Sequence, residues 1–320
     1  MIICIGEAVI DMFQKSVPVL GEVFMPLPGG CSYNTSIAIS RLGSPAAFLG
    51  RLSKNFFGEI QIRRLRENGV RDGLLIRCDQ NPILAFIKTE KGKEPQYAFY
   101  DEGTADRLLS TEELPPLPAD TLCIVFGSIS MCMEPMAATI ESLIMKEAQR
   151  GTVIAFDPNI RPLMIKDRDA YLRRFEKWTG VCTVAKISSE DFEFIYPGTQ
   201  PDDALKKIID LGTKLAIVTL GPKGAAAMFR RDDGRVTKVY SPAALVGETA
   251  DTVGAGDTFL GAFLAWLQQR GKLSHNAIVN LSETDLYDAL TFANKAAGIV
   301  CTRRGAEPPT LEEVEKFAPS

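Results

Sequence analysis

The chain has 320 residues, 46% of them hydrophobic and 24% charged, enough to bury a large core in the proportions of an ordinary globular protein. A net charge of −4 and a pI near 5.4 leave no excess of Lys and Arg. That balance excludes a general electrostatic grip on nucleic acid or an anionic membrane, so any anionic ligand must be held locally.

The chain opens on an apolar run, residues 1–6, that reads as a buried strand, with Glu7 and Asp11 close behind it. Those carboxylates and the lack of a basic n-region argue against a signal peptide. A helix is expected over 32–42, a strand over 46–50, and an amphipathic helix over 57–69 that closes at Gly69. After a break the rhythm resumes: strand 121–127, helix 135–150 capped by Gly151, strand 152–157, helix 168–178, strand 181–186, helix 201–211 and strand 214–221. Short β-rich runs alternating with amphipathic stretches predict a mainly parallel sheet covered by helices on both faces.

Two segments interrupt this rhythm, at about 12–28 and 79–106. The second shows strand alternation in 83–90 and 96–100 around a turn at 91–94. We read the two as one small β-sheet lid inserted above a single domain spanning 1–320. A small sheet with one apolar face left over seeks a partner, which predicts a homodimer through the lid.

The seven cysteines, Cys4, Cys31, Cys78, Cys123, Cys132, Cys182 and Cys301, contain no C-x-x-C pair and lie mostly among apolar residues. This suits reduced core thiols and a cytoplasmic protein. No apolar run reaches the length of about 18 residues that a transmembrane helix needs. The single histidine, His275, lies in a polar segment and reads as a surface residue, which discounts mechanisms built on a Ser-His or Cys-His pair.

Chemistry concentrates in residues 251–266, DTVGAGDTFLGAFLAW. Gly254, Ala255 and Gly256 precede an apolar helix, so their backbone N–H groups can converge on one spot with the positive end of the helix dipole behind them. That arrangement is a cradle for phosphate. Asp257 follows at the helix start, where a carboxylate is also favoured simply as a cap. Asp251 supplies a second carboxylate beside the cradle.

This stretch resembles the C-terminal motif, close to DTxGAGD, of the ribokinase-like or PfkB carbohydrate and nucleoside kinases, and the resemblance runs along most of the chain. It implies a ribokinase-like fold and an ATP-dependent kinase, with Asp257 as the base and Arg161, Gly254, Ala255 and Gly256 stabilising the transferred phosphate. Asp11, paired Gly29 and Gly30, and Asn34 match the family's sugar-binding positions. Asp157-Pro-Asn159-Ile-Arg161 resembles its D-x-N-x-R, whose Arg reaches the phosphate. Thr219, Gly221 and Gly224 resemble its nucleotide loop, and Asn294 a position bordering the adenine.

The family's N-x-x-E after the strand at 181–186, which helps to organise magnesium, reads here as Lys186 to Ser189, with Glu190 or Asp191 as substitute carboxylates. The resemblance also implies Mg²⁺, and extends to a K⁺ bound near Arg304-Gly305-Ala306. Several strings, GEAVIDMF and QYAFYDEGTADRLL among them, are similar to bacterial fructokinases. A 2-keto-3-deoxygluconate kinase, whose lid presents Tyr and Arg to a substrate carboxylate, is the main rival. Tyr100, followed here by Asp101 and Glu102, is expected over the sugar, and those acids would repel a sugar acid. A neutral ketose is therefore favoured, D-fructose first; ribose and nucleosides stay open. Two readings of other classes are a catalytically silent sugar-binding regulator, which would be expected to lose Asp257, Arg161 or the cradle, and a dinucleotide oxidoreductase, which lacks its G-x-G-x-x-G turn here.

Overall fold

The computed structural model describes residues 1–88, 96–231 and 233–317. The predicted turn at 91–94 and the end of the strand before it lie outside these. In chain order the elements are β1 (Ile2–Ile5), β2 (Val9–Val17), β3 (Gly21–Gly29), α1 (Cys31–Arg41), β4 (Ala46–Ser53), α2 (Phe56–Glu67), β5 (Leu75–Cys78), β6 (Ile83–Lys88), β7 (Gln96–Tyr100), β8 (Cys123–Gly127), α3 (Met136–Gln149) and β9 (Val153–Asp157). They continue with α4 (Arg168–Val181), β10 (Val184–Ser188), α5 (Ser189–Ile195), α6 (Pro201–Asp210), β11 (Leu215–Thr219), β12 (Ala225–Arg230), β13 (Val236–Ser241), α7 (Ala255–Gln269), α8 (His275–Val279), α9 (Glu283–Cys301) and α10 (Leu311–Lys316).

The main sheet has nine strands in the order β13-β12-β11-β10-β9-β8-β1-β4-β5. From β11 to β5 neighbouring strands are parallel; β12 and β13 form an antiparallel hairpin at one edge. Strand alternation divides the core in two. Ile2 and Cys4 join Ile37 of α1, Phe259 of α7 and Leu290 of α9 on one face. Ile3 and Ile5 join Ile140 of α3, Trp178 of α4 and Ile208 of α6 on the other. A strand buried on both faces has no polar positions to spare, which is why these runs read as continuous apolar segments.

The predicted helices and parallel strands are present, with ends displaced by a few residues. The edge strand β5, the hairpin β12–β13 and the short helix α5 were not foreseen. All seven cysteines are free thiols, five of them buried. His275 is half-buried rather than a surface residue, its ring beside the Thr183 hydroxyl at the start of α8. Among the described residues no helix is long and apolar enough to cross a membrane.

The segments predicted at 12–28 and 79–106 do form a separate four-stranded sheet, ordered β3-β2-β6-β7, although it starts at Val9 and its second arm ends at Tyr100. β2 lies antiparallel to β3 and parallel to β6, with Asp11 opposite Leu27 and Ala85. This register puts Val9, Asp11, Phe13, Ala85, Ile87, Tyr97 and Phe99 on the face that lines a cavity over the main sheet. Residues of the opposite parity, including Met12, Phe86 and Tyr100, share the outer face. There Phe86 packs edge-to-face with Phe24 and Tyr100, ring centroids 4.9 and 5.5 Å away.

Candidate active site

The cavity between the two sheets, about 280 Å³, lies beyond the C-terminal ends of the parallel strands. Open α/β sheets bind ligands there because chains leaving the strands and helices entering the next layer expose their backbone groups at that edge. Its walls bring together Asp11 and Asn34 from the N-terminal third, Asn159 and Arg161 from the loop after β9, and Gly254, Gly256 and Asp257 from the start of α7.

The paired glycines have steric reasons. A Cβ on Gly29 would stand 2.4 Å from Asp11 Oδ2, so the missing side chain makes room for that carboxylate. Gly30 has φ +115°, and its Cβ would stand 2.6 Å from the Glu7 carbonyl oxygen. Gly30 also supplies the N-cap of α1, without a side-chain cap of its own. Glu7 fills that role: its Oε1 accepts from Cys31 N–H at 3.0 Å, and its Oε2 accepts from the Ser130 hydroxyl. A carboxylate at a helix N-terminus is favoured by the dipole, so Glu7 anchors α1, while burial raises its carboxyl above the ordinary glutamate range. Sequence reasoning noted Glu7 as part of a motif without giving it this task.

Asp257 is 6% exposed and lies in the first turn of α7. It does not cap that helix. The N-cap, Gly254, sits in the left-handed region at φ +77° with no side-chain hydrogen bond. Instead, Asp257 Oδ2 accepts from Asn34 Nδ2 at 2.9 Å, and Oδ1 lies 3.4 Å from Asn159 Nδ2. Burial raises its carboxyl above the ordinary aspartate range, and hydrogen bonds from Asn34 and Cys31 with the charges of Lys186 and Arg161 oppose that rise. A raised carboxylate is a stronger proton acceptor, which suits a general base. Burial also pushes Asp11 up, to about 7, against the pull of Arg161.

Asn159 has φ +35°, a conformation that Asn tolerates better than most residues. It turns the chain so that its side chain meets Asp257 while its Oδ1 accepts from Arg161 Nη1 at 2.8 Å. Arg161 is exposed at the cavity mouth and has no carboxylate partner among the described residues, so its charge is available to an anion.

Several expected site residues have other partners. Asp251 accepts from Val253 N–H and Gly305 N–H, both at 3.0 Å, and so clamps the α7 loop to the C-terminal segment instead of facing the cavity. Tyr100 is 63% exposed on the outer face of the small sheet; the aromatic rings over the cavity are those of Tyr97 and Phe99. The side-chain period of two explains the error, since a shift of one residue exchanges the faces. Asp101 is ion-paired with Arg107, and Glu102 is exposed away from the cavity lining, so neither supplies the repulsion expected of it.

Asn294 is buried and donates to the Ser241 and Pro242 carbonyls at 3.2 and 3.0 Å, joining α9 to the end of β13. Thr219 ends β11, and the turn after it needs Gly224, at φ +97°, because a Cβ there would stand 2.2 Å from the Ser241 carbonyl oxygen. Gly221, at φ +55°, faces open space. Gly224 and Asn294 thus meet at Ser241, and Thr219 and Gly221 lie in the same strand-end turn; none of the four lines the cavity.

The expected N-x-x-E position shifts by two residues. Because β10 ends on Ser188, the polar residue at the strand end is Ser188, in place of Lys186, and the residue three places on is the carboxylate Asp191, in place of Ser189. These two form a capping box at the start of α5, and Asp191 Oδ1 also accepts from Ile160 N–H at 2.6 Å. Glu190 faces solvent. Lys186, two places earlier, is buried under the cavity. Cys31, foreseen as a core thiol, is a wall residue there, its Sγ within 4.8 Å of the Asp157 and Asp257 carboxylates.

Comparisons with known proteins show the family. Residues 1–313 match the pfkB family carbohydrate kinases. A fructokinase of Rhizobium leguminosarum bv. trifolii is 37% identical over 288 residues, covering 89% of this chain and 85% of its own length. The probable fructokinase-5 of Arabidopsis thaliana is 32% identical over 329 residues, covering 100% of this chain and 98% of its own. In fold, the chain is similar to a fructokinase of Xylella fastidiosa with bound ATP, at TM-score 0.87 and 24% identity, with 98% of this chain and 96% of that one covered. It is likewise similar to a fructokinase of Vibrio cholerae O395 with fructose, ADP and calcium bound, at TM-score 0.84 and 23% identity, with 99% and 98% covered. A cradle at a helix start, a buried carboxylate beside it and a family match along nearly the whole sequence lead to one conclusion: the chain belongs to the pfkB family of carbohydrate kinases.

Proposed function

We propose that the protein transfers the γ-phosphoryl group of ATP to the terminal hydroxymethyl group of a neutral ketose, with D-fructose converted to fructose 6-phosphate. The observation that carries this reading is the placement of Asp257, buried and hydrogen-bonded by Asn34, at the junction of the Gly254–Gly256 cradle and the cavity that Asp11 and Asn34 line. Asp257 takes the proton of the sugar hydroxyl as its oxygen bonds to the γ-phosphorus, the bond from that phosphorus to the β-bridging oxygen breaks, and ADP leaves. The α7 N–H groups and Arg161 offset charge on the phosphoryl oxygens. The small sheet, with Phe13, Tyr97 and Phe99 toward the cavity, acts as a lid that keeps water from competing as acceptor. Fructose and ADP bound to the Vibrio cholerae relative, and ATP bound to the Xylella fastidiosa one, support the choice of substrates.

Magnesium would arrive on the nucleotide and neutralise phosphate charge. Asp191 is already engaged by Ser188 and Ile160 and Glu190 faces solvent, so the residues that replace N-x-x-E do not fit a direct magnesium ligand. The potassium ion that the family resemblance implies would be held by backbone carbonyls where the loop at 251–254 meets the C-terminal segment; Asp251 ties these two segments together by accepting from Gly305 N–H.

The cavity also favours a neutral substrate, although not through Asp101 and Glu102. Glu7, Asp11 and Asp257 face it, and among the described residues Arg161 is the one basic residue in its lining. A sugar carboxylate would meet repulsion from the ionised fraction of these groups in a partly desolvated site, although burial raises all three carboxyls and so reduces that fraction. kcat/KM for fructose is therefore expected to exceed that for 2-keto-3-deoxygluconate by at least about 10²-fold, or roughly 2.7 kcal/mol. A coupled ADP-release assay over fructose, 2-keto-3-deoxygluconate, ribose, tagatose and adenosine measures this; equal or reversed preference would replace fructose with the sugar acid.

The outer face of the small sheet supports a homodimer. Phe24 is 41% and Tyr100 63% exposed beside Phe86, an aromatic cluster that a second copy would cover. Light scattering at micromolar concentration is expected to give twice the chain mass, and Tyr100→Glu to give the monomer. A parent that remains monomeric would rule the pairing out.

A further inference from the structure

Lys186 has no part in the mechanism above, yet it sits directly beneath its centre. It leaves β10 with a side chain only 3% exposed, and its Nζ donates to Asp157 Oδ2 at 2.9 Å. Its other neighbour is the cradle itself. A Cβ added to Gly256 would stand 2.9 Å from Lys186 Nζ and 3.9 Å from Cε, so the glycine in the first turn of α7 leaves room for the ammonium group.

This is an unfavourable place for a cation. The first turn of a helix already carries the positive end of the dipole, and a lysine there is destabilising until an anion arrives. A buried ion pair is also a weak source of stability, because desolvation cancels most of its attraction. The pair is incompletely satisfied here, since Asp157 Oδ1 has no hydrogen-bond partner. The Lys186 charge nevertheless persists: burial works against it, but the Asp157 carboxylate beside it carries its pKa up to about 12.

We propose that Lys186 is a positioning residue for phosphoryl transfer, a fixed positive charge under Gly256 that raises the potential of the α7 cradle before the phosphoryl group reaches it. It acts through the helix start without touching the substrate. Its cost is carried by the free enzyme and relieved when negative charge builds on the transferred oxygens, so the ammonium is worth more in the transition state than in the ground state. The proposal rests on the phosphotransfer chemistry of the family and not on which sugar is phosphorylated.

The test uses three full-length variants, Lys186→Gln, Lys186→Met, and Lys186→Met combined with Asp157→Asn. The first keeps a donor toward Asp157, and the last removes both members of the pair so that no buried charge is stranded. Each is followed by thermal unfolding and by steady-state kinetics with whichever sugar the parent phosphorylates best. The expected result is a fall in kcat of about 10- to 10²-fold in all three, a sugar KM within about threefold of the parent, and a melting temperature that recovers in the double variant while kcat does not. Recovery of kcat in the double variant to within threefold of the parent overturns the proposal, because the lysine would then serve only to balance Asp157. Unchanged kcat in Lys186→Gln overturns it, and so does a rise in sugar KM that accounts for the whole loss. Failure of all three to fold overturns it too, since the charge would then be part of the architecture. A parent inactive on every sugar tested would count against the kinase reading instead.

Discussion

Replacing Asp257 by Asn is expected to lower kcat by about 10²–10⁴, the usual contribution of a general base. The substitution keeps the shape of the side chain and an oxygen toward Asn34, so the hydrogen bond at 2.9 Å can persist and the sugar still binds. What is lost is the proton acceptor: an amide cannot take the hydroxyl proton, and the attacking oxygen must develop positive charge. Burial raises the Asp257 carboxyl, while Lys186 and Arg161 help to keep it ionised. A lysine, an arginine and the helix N-terminus around the same carboxylate also mean that the neutral amide changes the local charge, so some loss comes from electrostatics as well as from proton transfer. Rapid-quench measurement of a single turnover, together with sugar binding by calorimetry, separates the two steps. A variant whose turnover stays within threefold of the parent would remove Asp257 from the role of base.

The second large effect is structural and is expected at Gly127, the last residue of β8. It has φ +150°, and a Cβ there would stand 1.7 Å from the Asp157 carbonyl oxygen and 2.6 Å from its carbon. The clash is with backbone in the middle of the main sheet, where β8 and β9 pair Gly127 with Asp157, so no side-chain rotation can relieve it. Gly127→Ala therefore combines backbone strain of about 1–3 kcal/mol with overpacking of about 1–3 kcal/mol. The expected destabilisation is about 2–6 kcal/mol, which for a chain of this length corresponds to a fall in melting temperature of about 3–9 °C. Separation of the two strands would also move the start of the Asp157-Pro-Asn159-Ile-Arg161 loop, so kcat is expected to drop in the fraction that folds. Thermal unfolding of the purified variant checks the first part; a melting temperature within 1 °C of the parent would show that the sheet accommodates the methyl group.

How much of this protein its sequence determines follows from the range of the interactions involved. The buried parallel strands and the covering helices were legible because burial on both faces leaves continuous apolar runs, and amphipathic helices leave a period near 3.6. The small sheet was legible because its alternation breaks that rhythm. The proposed cradle rests on three small residues where an apolar helix opens, and Asp257 follows them directly; the helix starts at Ala255, so of the three only Gly254 precedes it.

Tertiary structure decided the rest. Whether Tyr97 and Phe99 or Tyr100 face the sugar depends on strand register, which a count of residues cannot fix to better than one place. The capacity of Asp251, Asp191 and Asn294 to hydrogen-bond is written in their side chains, but their partners, Gly305, Ile160 and Ser241, lie from 31 to 54 residues away in the chain. Lys186 read as a departure from a motif until the fold placed its ammonium against Asp157 and Gly256. A carboxylate, an amide or an ammonium has the same formula wherever it stands. Only the packing of distant segments sets its neighbours and its exposure to water, and these determine whether it binds, clamps a loop or carries a charge into the site.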